Sequence, residues 1–137
     1  MKEIFWSKYL YVVDDTAFMR AGLIKLLIEL GFDKDKILQF ENGQAALNAF
    51  MLGKHVDLIL SDWNMPQMTG IELLKEIRQS KSSWSQVPIV MITTVSEKDK
   101  VIEALAFKIS GYLLKPVDID KLSKTMNSVF LGENDEE

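Results

Sequence analysis

The sequence predicts an α/β fold in which five parallel strands form one sheet between two layers of helices. Short, mostly apolar runs of strand length recur along the chain and alternate with segments of helical periodicity. Runs that are apolar almost throughout are typical of parallel strands buried on both faces. Single helical segments join them, and right-handed crossovers of this kind give a doubly wound (βα)5 sheet.

The apolar runs give the five predicted strands in chain order. The clearest is the third, although Asp57 lies near its start. Pro88 lies near the start of the fourth, where a missing N–H is tolerated. The predicted strands are Tyr9–Val13, Ile37–Phe40, Val56–Leu60, Val87–Ile92 and Gly111–Leu114.

Each predicted strand is followed by a segment with apolar residues at helical spacing. Glycines at positions 31 and 53 end the first two helices, and the Asn42-Gly43 turn precedes the second. The predicted helices are Ala17–Leu30, Gln44–Leu52, Ile71–Arg78, Glu97–Phe107 and Asp118–Phe130.

Length and composition indicate one globular domain spanning residues 1–137, with a core at about 9–131 and an acidic tail at 132–137. A net charge of -4 argues against nucleic acid or a membrane surface as the main partner. The absence of cysteine excludes disulfides, zinc-thiolate sites and thiol nucleophiles. The sequence shows neither a secretion signal nor a membrane-spanning stretch, so we expect a cytoplasmic protein, and a monomer.

Polar residues stand where the predicted strands end. They are Asp14 and Asp15 after the first strand, Asp62 after the third, Thr93 after the fourth and Lys115 after the fifth. Side chains at the carboxyl ends of parallel strands converge on one crevice, so we expect these five to lie together. Crowded carboxylates repel one another unless they are protonated or bind a cation. Oxygen ligands without histidine or cysteine favour Mg²⁺, which commonly bridges to phosphate.

Each of these residues also has a simpler interpretation. Asp14 and Asp15 fit a polar turn before a helix, and Asp62 fits a strand-ending turn. Thr93 fits an ordinary β-branched strand residue, and Lys115 fits a solvated residue before Pro116. It is their joint occurrence at strand ends that favours a phosphoryl site.

The motifs as a set resemble those of the response-regulator receiver domains, whose fold is flavodoxin-like, and most closely the single-domain chemotaxis regulators of the CheY type. The resemblance extends from about Tyr9 to Phe130. The segments that carry it are Val12–Asp15, Ser61–Pro66, Gly70–Leu74, Thr93 and Gly111–Pro116.

The resemblance implies a phosphorylatable regulator of two-component signalling rather than an enzyme. Asp62 would accept a phosphoryl group from a histidine kinase, and Lys115 and Thr93 would contact its oxygens. The chain would assist its own phosphorylation and dephosphorylation. The implied Mg²⁺ ligands are Asp14, Asp15, Asp62 and the backbone carbonyl of Asn64.

The resemblance also implies an output. Thr93 and Tyr112 would act as a switch that changes a partner-binding face. We expect that face to include Val101, Leu105, Tyr112 and Leu114. The implied partners are a chemotaxis-type histidine kinase and a downstream target such as a flagellar motor switch protein.

Three other interpretations remain open at this point. The chain could be a receiver of a non-chemotaxis phosphorelay. It could be a small Mg²⁺-dependent phosphohydrolase, although such enzymes usually carry a second aspartate where this chain has Asn64. A flavodoxin-like cofactor binder would need a phosphate loop where Asp14 and Asp15 stand.

Three features depart from the family pattern, and one of them is a last helix made less basic by Asp120, Thr125 and Ser128. Thr94 is larger than the usual residue after Thr93 and is expected to crowd access to the phosphate. Lys108-Ile109 replaces a common Gly-Ala at the end of the fourth helix, so that turn is expected to have altered geometry.

Overall fold

The computed structural model describes residues 3–94 and 98–132, with only the backbone of Lys98. Five parallel strands form one sheet in the order β2-β1-β3-β4-β5, which confirms the predicted doubly wound fold. The strands are β1 (Leu10–Val13), β2 (Ile37–Phe40), β3 (Leu58–Asp62), β4 (Ile89–Thr93) and β5 (Gly111–Leu114).

The five helices follow the strands one by one. They are α1 (Ala17–Leu30), α2 (Gly43–Met51), α3 (Gly70–Arg78), α4 (Lys98–Ala106) and α5 (Ile119–Leu131). The predicted start of the fourth helix, Glu97, lies outside the described residues. None of the helices in the described part of the chain has the length and apolar character needed to cross a bilayer.

The sheet divides the core into two halves, because successive residues of a strand point to opposite faces. In β1, Tyr11 and Val13 pack with side chains of α2, α3 and α4. Leu10 and Val12 pack with side chains of α1 and α5. All four residues of β1 are buried, as the apolar run predicted.

Two strands end later than the sequence predicted. The polar residues at their ends therefore belong to the hydrogen-bonded sheet and not to the loops that follow it. Asp62 is the last residue of β3 and pairs with Ile92, whereas the sequence placed it just beyond the strand. Thr93 is likewise the last residue of β4 and pairs with Leu114. Both side chains therefore project from the sheet itself and not from a loop.

A short 3-10 helix, Glu3–Ser7, precedes the sheet and had no counterpart in the prediction. Its Phe5 is buried and stacks on Phe32, with 4.5 Å between ring centroids. The Phe130 ring, near the end of α5, lies 5.9 Å from the Phe5 ring. The segment thus closes the core at the amino ends of the strands, opposite the polar residues.

Helix α4 is tied to α3 by polar contacts along one flank. The Lys75 ammonium pairs with the Glu103 carboxylate at 2.8 Å. The Arg78 guanidinium donates from Nε to the carbonyl of Phe107 (3.1 Å) and from Nη2 to that of Lys108 (3.0 Å). These contacts fix the end of α4 relative to α3.

Candidate functional site

The centre of the sheet brings three carboxylates together. Asp14 and Asp15 follow β1, and Asp62 ends the neighbouring strand β3. One carboxylate oxygen from each lies within 4.8 Å of the other two. The convergence expected at the carboxyl ends of the strands is therefore present in the structure.

A turn directly after β1 explains how two adjacent aspartates reach one site. The Asp14 carboxylate accepts a hydrogen bond from the backbone N–H of Thr16, with 2.8 Å between Oδ1 and N. The Asp14 backbone carbonyl accepts one from Arg20 of α1. Asp14 is buried and Asp15 is exposed. One carboxylate of the pair therefore lies inside the protein and the other at its surface.

The Asp62 carboxylate is nearly buried and is held through one of its oxygens. Oδ1 accepts from the Trp63 backbone N–H (2.9 Å) and pairs with the Lys115 ammonium (3.0 Å). The backbone N–H of Lys115 donates to the carbonyl of Thr93 at 2.8 Å, which places Lys115 beside the end of β4. Within the described part of the chain, Oδ2 is the Asp62 oxygen left to form a new bond.

Close backbone packing supports this strand end. Gly70, the first residue of α3, lies against Asp62, and a Cβ at position 70 would be 2.5 Å from the Asp62 carbonyl oxygen. Only glycine permits such an approach. The helix that follows is fixed at its start by a capping box between Thr69 and Glu72.

The electrostatics of the cluster are those of a cation site. Burial raises the pKa of Asp14, and the neighbouring charges of Asp62 and Asp15 raise it further. The Thr16 N–H and the Lys115 ammonium act in the opposite direction. Among the residues that the structure describes, Lys115 is the one ammonium paired with these three carboxylates, so negative charge is in excess there.

This donor set fits Mg²⁺. All three side chains offer hard oxygen ligands, and neither histidine nor cysteine belongs to the cluster. Asn64 lies two residues after Asp62 and is exposed, so it borders the site on the solvent side. Thr93 is buried, and its hydroxyl donates to the Thr94 carbonyl at 3.4 Å.

Comparison with known proteins gives the family. Residues 10–127 match the response regulator receiver domain. This chain belongs to the receiver-domain family. Members of the family act in two-component signalling, where phosphorylation and Mg²⁺ are general features.

Among curated proteins, the chain is similar to chemotaxis regulators. It is 36% identical over 126 residues to chemotaxis protein CheY1 of Helicobacter pylori, which covers 92% of this chain and 98% of that protein. It is also 36% identical over 120 residues to a chemotaxis protein CheY homolog of Campylobacter jejuni, with 88% and 90% covered. The resemblance to CheY-type regulators inferred from the motifs is confirmed.

Solved structures agree with this assignment. Chemotaxis protein CheY4 of Vibrio cholerae superimposes with a TM-score of 0.78 at 32% identity, covering 90% of this chain and 98% of that one. A receiver domain protein from Clostridium thermocellum gives a TM-score of 0.80 at 23% identity and supports the fold alone.

The receiver domain has an apolar cleft of about 310 Å³ between α4 and β5. The four residues expected to form the partner face all line it, together with Thr94 and Ile102. Val101 is buried, whereas Leu105 and Tyr112 are about half exposed. Ile102, which is 68% exposed, was not predicted, although its spacing from Leu105 is that of residues on one helix face.

A second cleft, of about 280 Å³, lies beside α1 and reaches the carboxylate cluster through Asp14 and Lys115. The Phe18 side chain at this cleft is 82% exposed. The sequence did not single out this surface. The available signal was an apolar Phe18-Met19 pair directly after the acidic turn.

Proposed function

We propose that this receiver domain accepts a phosphoryl group on Asp62 from the phosphohistidine of a histidine kinase and then presents a changed surface to a downstream partner. The observation that carries the proposal is the Asp62 carboxylate, held through Oδ1 by Lys115 and Trp63 within a cluster of three carboxylates. In the proposal Oδ2 attacks the incoming electrophile, and Lys115 supplies positive charge beside the carboxylate.

The proposed transfer forms one bond and breaks one. Oδ2 of Asp62 bonds to phosphorus, the bond between phosphorus and the donor imidazole breaks, and its electron pair stays on the imidazole nitrogen. Lys115 and Thr93 contact the transferred oxygens as negative charge develops on them. Because little covalent chemistry is asked of the protein, positioning and charge neutralisation supply most of the catalysis.

Mg²⁺ is part of the proposal. Asp14, Asp15, Asp62 and the backbone carbonyl of Asn64 are the proposed ligands, with Asp14 assisting through water. The metal would neutralise charge on the phosphoryl oxygens and on the carboxylates that approach them. The raised pKa of Asp14 supports a cation here, because a divalent ion would relieve the repulsion that contributes to it.

The proposed output passes from Thr93 to the α4–β5 cleft. A phosphoryl group on Asp62 attracts the Thr93 hydroxyl, which in this structure donates to a backbone carbonyl instead. Movement of Thr93 makes room next to β5 for the half-exposed Tyr112 ring, and the cleft changes shape. The proposed partner face is Val101, Leu105, Tyr112 and Leu114.

Chemotaxis is the proposed pathway, with a chemotaxis-type histidine kinase as donor and a flagellar motor switch protein as target. The names of the Helicobacter, Campylobacter and Vibrio relatives support it. A receiver in a different phosphorelay is the alternative. The phosphohydrolase interpretation is disfavoured because Asn64 stands where such an enzyme needs an acid.

The test is phosphoryl incorporation from a small acyl phosphate in the presence of Mg²⁺, measured by intact mass. We expect the parent chain to gain one phosphoryl group, and Asp62→Asn to gain none because it lacks the nucleophilic carboxylate. Asp57→Asn is the matched control, since Asp57 precedes β3 at the opposite end of the sheet and bonds to Tyr9 and His55. Incorporation at the parent rate in Asp62→Asn would place the acceptor elsewhere.

A further inference from the structure

The apolar part of the cleft beside α1 has no role in the proposed transfer. This space of about 280 Å³ is called the α1 cleft below. Phe18, Gly22 and Leu26 line it and follow one another at intervals of one helical turn, so they form one flank of α1. Pro116 and Val117, which lie between β5 and α5, also line the cleft.

The α1 cleft lies on the same face of the sheet as the Asp62 side chain. In β3, Leu58 and Leu60 pack with side chains of α1 and α5, and Asp62 continues this alternation. Ile92 of β4 belongs to the same half of the core and lines the cleft. Lys115 also lines the cleft and pairs with Asp62 Oδ1 at 3.0 Å. One side chain therefore contacts both the proposed acceptor and the cleft.

The absence of a side chain at position 22 keeps the cleft open. Gly22 lies in the interior of α1, where glycine is unfavourable relative to alanine. Its φ is not in the left-handed region. Among the described residues, a Cβ at this position would have no neighbour within 4 Å outside the backbone of its own helix. Neither the backbone conformation nor the packing of the described chain requires glycine here, and its consequence is free space beside the carboxylate cluster.

The two ends of the cleft suit an anion with an apolar tail. Lys115 supplies positive charge at the end next to Asp62, and bound Mg²⁺ would offset the opposing charge of Asp14. The remainder of the lining is apolar, and the Phe18 side chain is 82% exposed. A tail that covers the Phe18 ring would remove apolar surface from water on both partners. An acyl phosphate with an apolar acyl chain combines these features.

We propose that the α1 cleft is a subsite for the acyl chain of a small acyl phosphate donor, and that it favours apolar acyl chains over the acetyl group. The inference rests on the proposed function of Asp62. Oδ2 of Asp62 bonds to phosphorus, the bond from phosphorus to the acyl oxygen breaks, and its electron pair stays on the carboxylate that leaves. The cleft contacts the chain and not the reacting atoms, so it acts on donor binding.

The experiment compares butyryl phosphate with acetyl phosphate as donors to the parent chain in the presence of Mg²⁺. Phosphoryl incorporation is followed by intact mass over a range of donor concentrations. The butyryl chain has two more methylene groups, and their burial should lower the half-saturating concentration about fivefold to tenfold. The maximal rate should be similar for the two donors, because both leaving groups are aliphatic carboxylates and the added contacts are the same before and during transfer.

Two variants test whether this preference depends on the cleft. Gly22→Leu fills it and should bring the half-saturating concentrations of the two donors close together. Phe18→Ala removes the exposed ring and should also reduce the preference. Met51→Ala is the matched control, since Met51 is an exposed apolar residue of α2 that does not line the cleft, and it should keep the parent preference. Thermal unfolding of each variant checks that the fold is retained.

The outcomes separate this inference from the proposed function. Equal half-saturating concentrations in the parent chain would overturn the inference and leave the cleft for another occupant, such as a protein segment. The same holds if Gly22→Leu and Phe18→Ala both keep the parent preference. Failure of the parent chain to gain a phosphoryl group from either donor would instead overturn the proposed function, and this inference with it.

Discussion

Asp14 is a proposed metal ligand, and it also lowers the stability of the metal-free protein. Its carboxylate lies in a buried position beside Asp62 and Asp15, and burial together with their charges raises its pKa above the ordinary value of 3.8. A raised pKa means that the folded chain resists ionisation of this group more than the unfolded chain does. The metal-free protein therefore bears a stability cost at neutral pH that a bound cation would remove.

The pH dependence of that cost is a prediction. Below the ordinary pKa of 3.8 the group is protonated in both states, and stability is unaffected. As the pH rises from there through the raised folded pKa, the unfolded state loses its proton first and stability falls. Asp14→Asn should lack this fall and be the more stable protein at neutral pH without metal, measured by urea unfolding with a chelator present.

Glu76→Gln is the control for that comparison, because Glu76 is an exposed carboxylate of α3 outside the cluster. Excess Mg²⁺ should reverse the order of stability, since only the parent retains the full ligand set. A parent chain as stable as Asp14→Asn at neutral pH, without metal, would contradict the account of this cluster.

At the residue scale, the sequence was informative where a charged residue stands at the end of a predicted strand. Asp14, Asp15 and Asp62 come together as expected, and Lys115 pairs with Asp62. The hydrogen bond from the Lys100 ammonium to Asn64 Oδ1, at 3.5 Å, could not be predicted, because it depends on the register of α4 against α3. That register is fixed by side chains such as Arg78, whose partners are backbone carbonyls that carry no sequence signal.

At the scale of elements, the turn after α4 shows a mismatch between sequence and backbone. Lys108 has φ of 64°, in the left-handed region that favours glycine. A residue with a Cβ therefore adopts here a conformation that glycine adopts more readily. The expectation that this turn differs in geometry from that of other receiver domains stays a prediction. Arg78 donates to the Lys108 carbonyl and so helps to hold the turn in place.

Lys108→Gly is accordingly predicted to stabilise the protein. The left-handed conformation costs a residue with a Cβ about 1–2 kcal/mol, and the greater freedom of glycine in the unfolded chain offsets part of that gain. We expect a net gain of about 0.5–1 kcal/mol by chemical denaturation. Lys108→Ala keeps the Cβ and should show no such gain, so equal effects of the two substitutions would argue against backbone strain here.

The existence and type of the ten elements followed from periodicity, but their ends did not. β3 extends to Asp62 through pairing with Ile92 of β4, and β4 extends to Thr93 through pairing with Leu114 of β5. This pairing holds polar residues in the ladder that an apolar run alone would exclude. The 3-10 helix at Glu3–Ser7 was missed because five residues are too few to show a period. Its order comes from burial of Phe5.

At the scale of the whole molecule, β4 lies between β3, which ends in Asp62, and β5, which borders the apolar cleft together with α4. Thr94 has its carbonyl bonded to the Thr93 hydroxyl and also lines the cleft between α4 and β5. The expectation that Thr94 crowds access to the phosphate stays a prediction. A contiguous apolar cleft on a small protein is typical of a partner site, and here it adjoins the residue expected to move.

Coupling between the two regions is the prediction that belongs to this scale. A phosphate mimic such as beryllofluoride should raise the affinity of a target peptide by about 1–3 kcal/mol, and the peptide should strengthen mimic binding equally. Tyr112→Ala should reduce this coupling without preventing phosphorylation of Asp62. Calorimetric titration with and without the mimic measures it, and equal affinities in both states would mean that the signal leaves by another surface.

The packing of Phe5 against Phe32 and Phe130 has a practical consequence. It gathers the beginning and the end of the described chain at the amino pole of the sheet, on the far side from Asp62. A tether, fluorophore or fused protein attached at either end should therefore project away from both the acidic crevice and its rim. When the molecule is fixed to a solid support at this pole, the acidic crevice still faces the solution. This geometry suits measurements on immobilised single molecules.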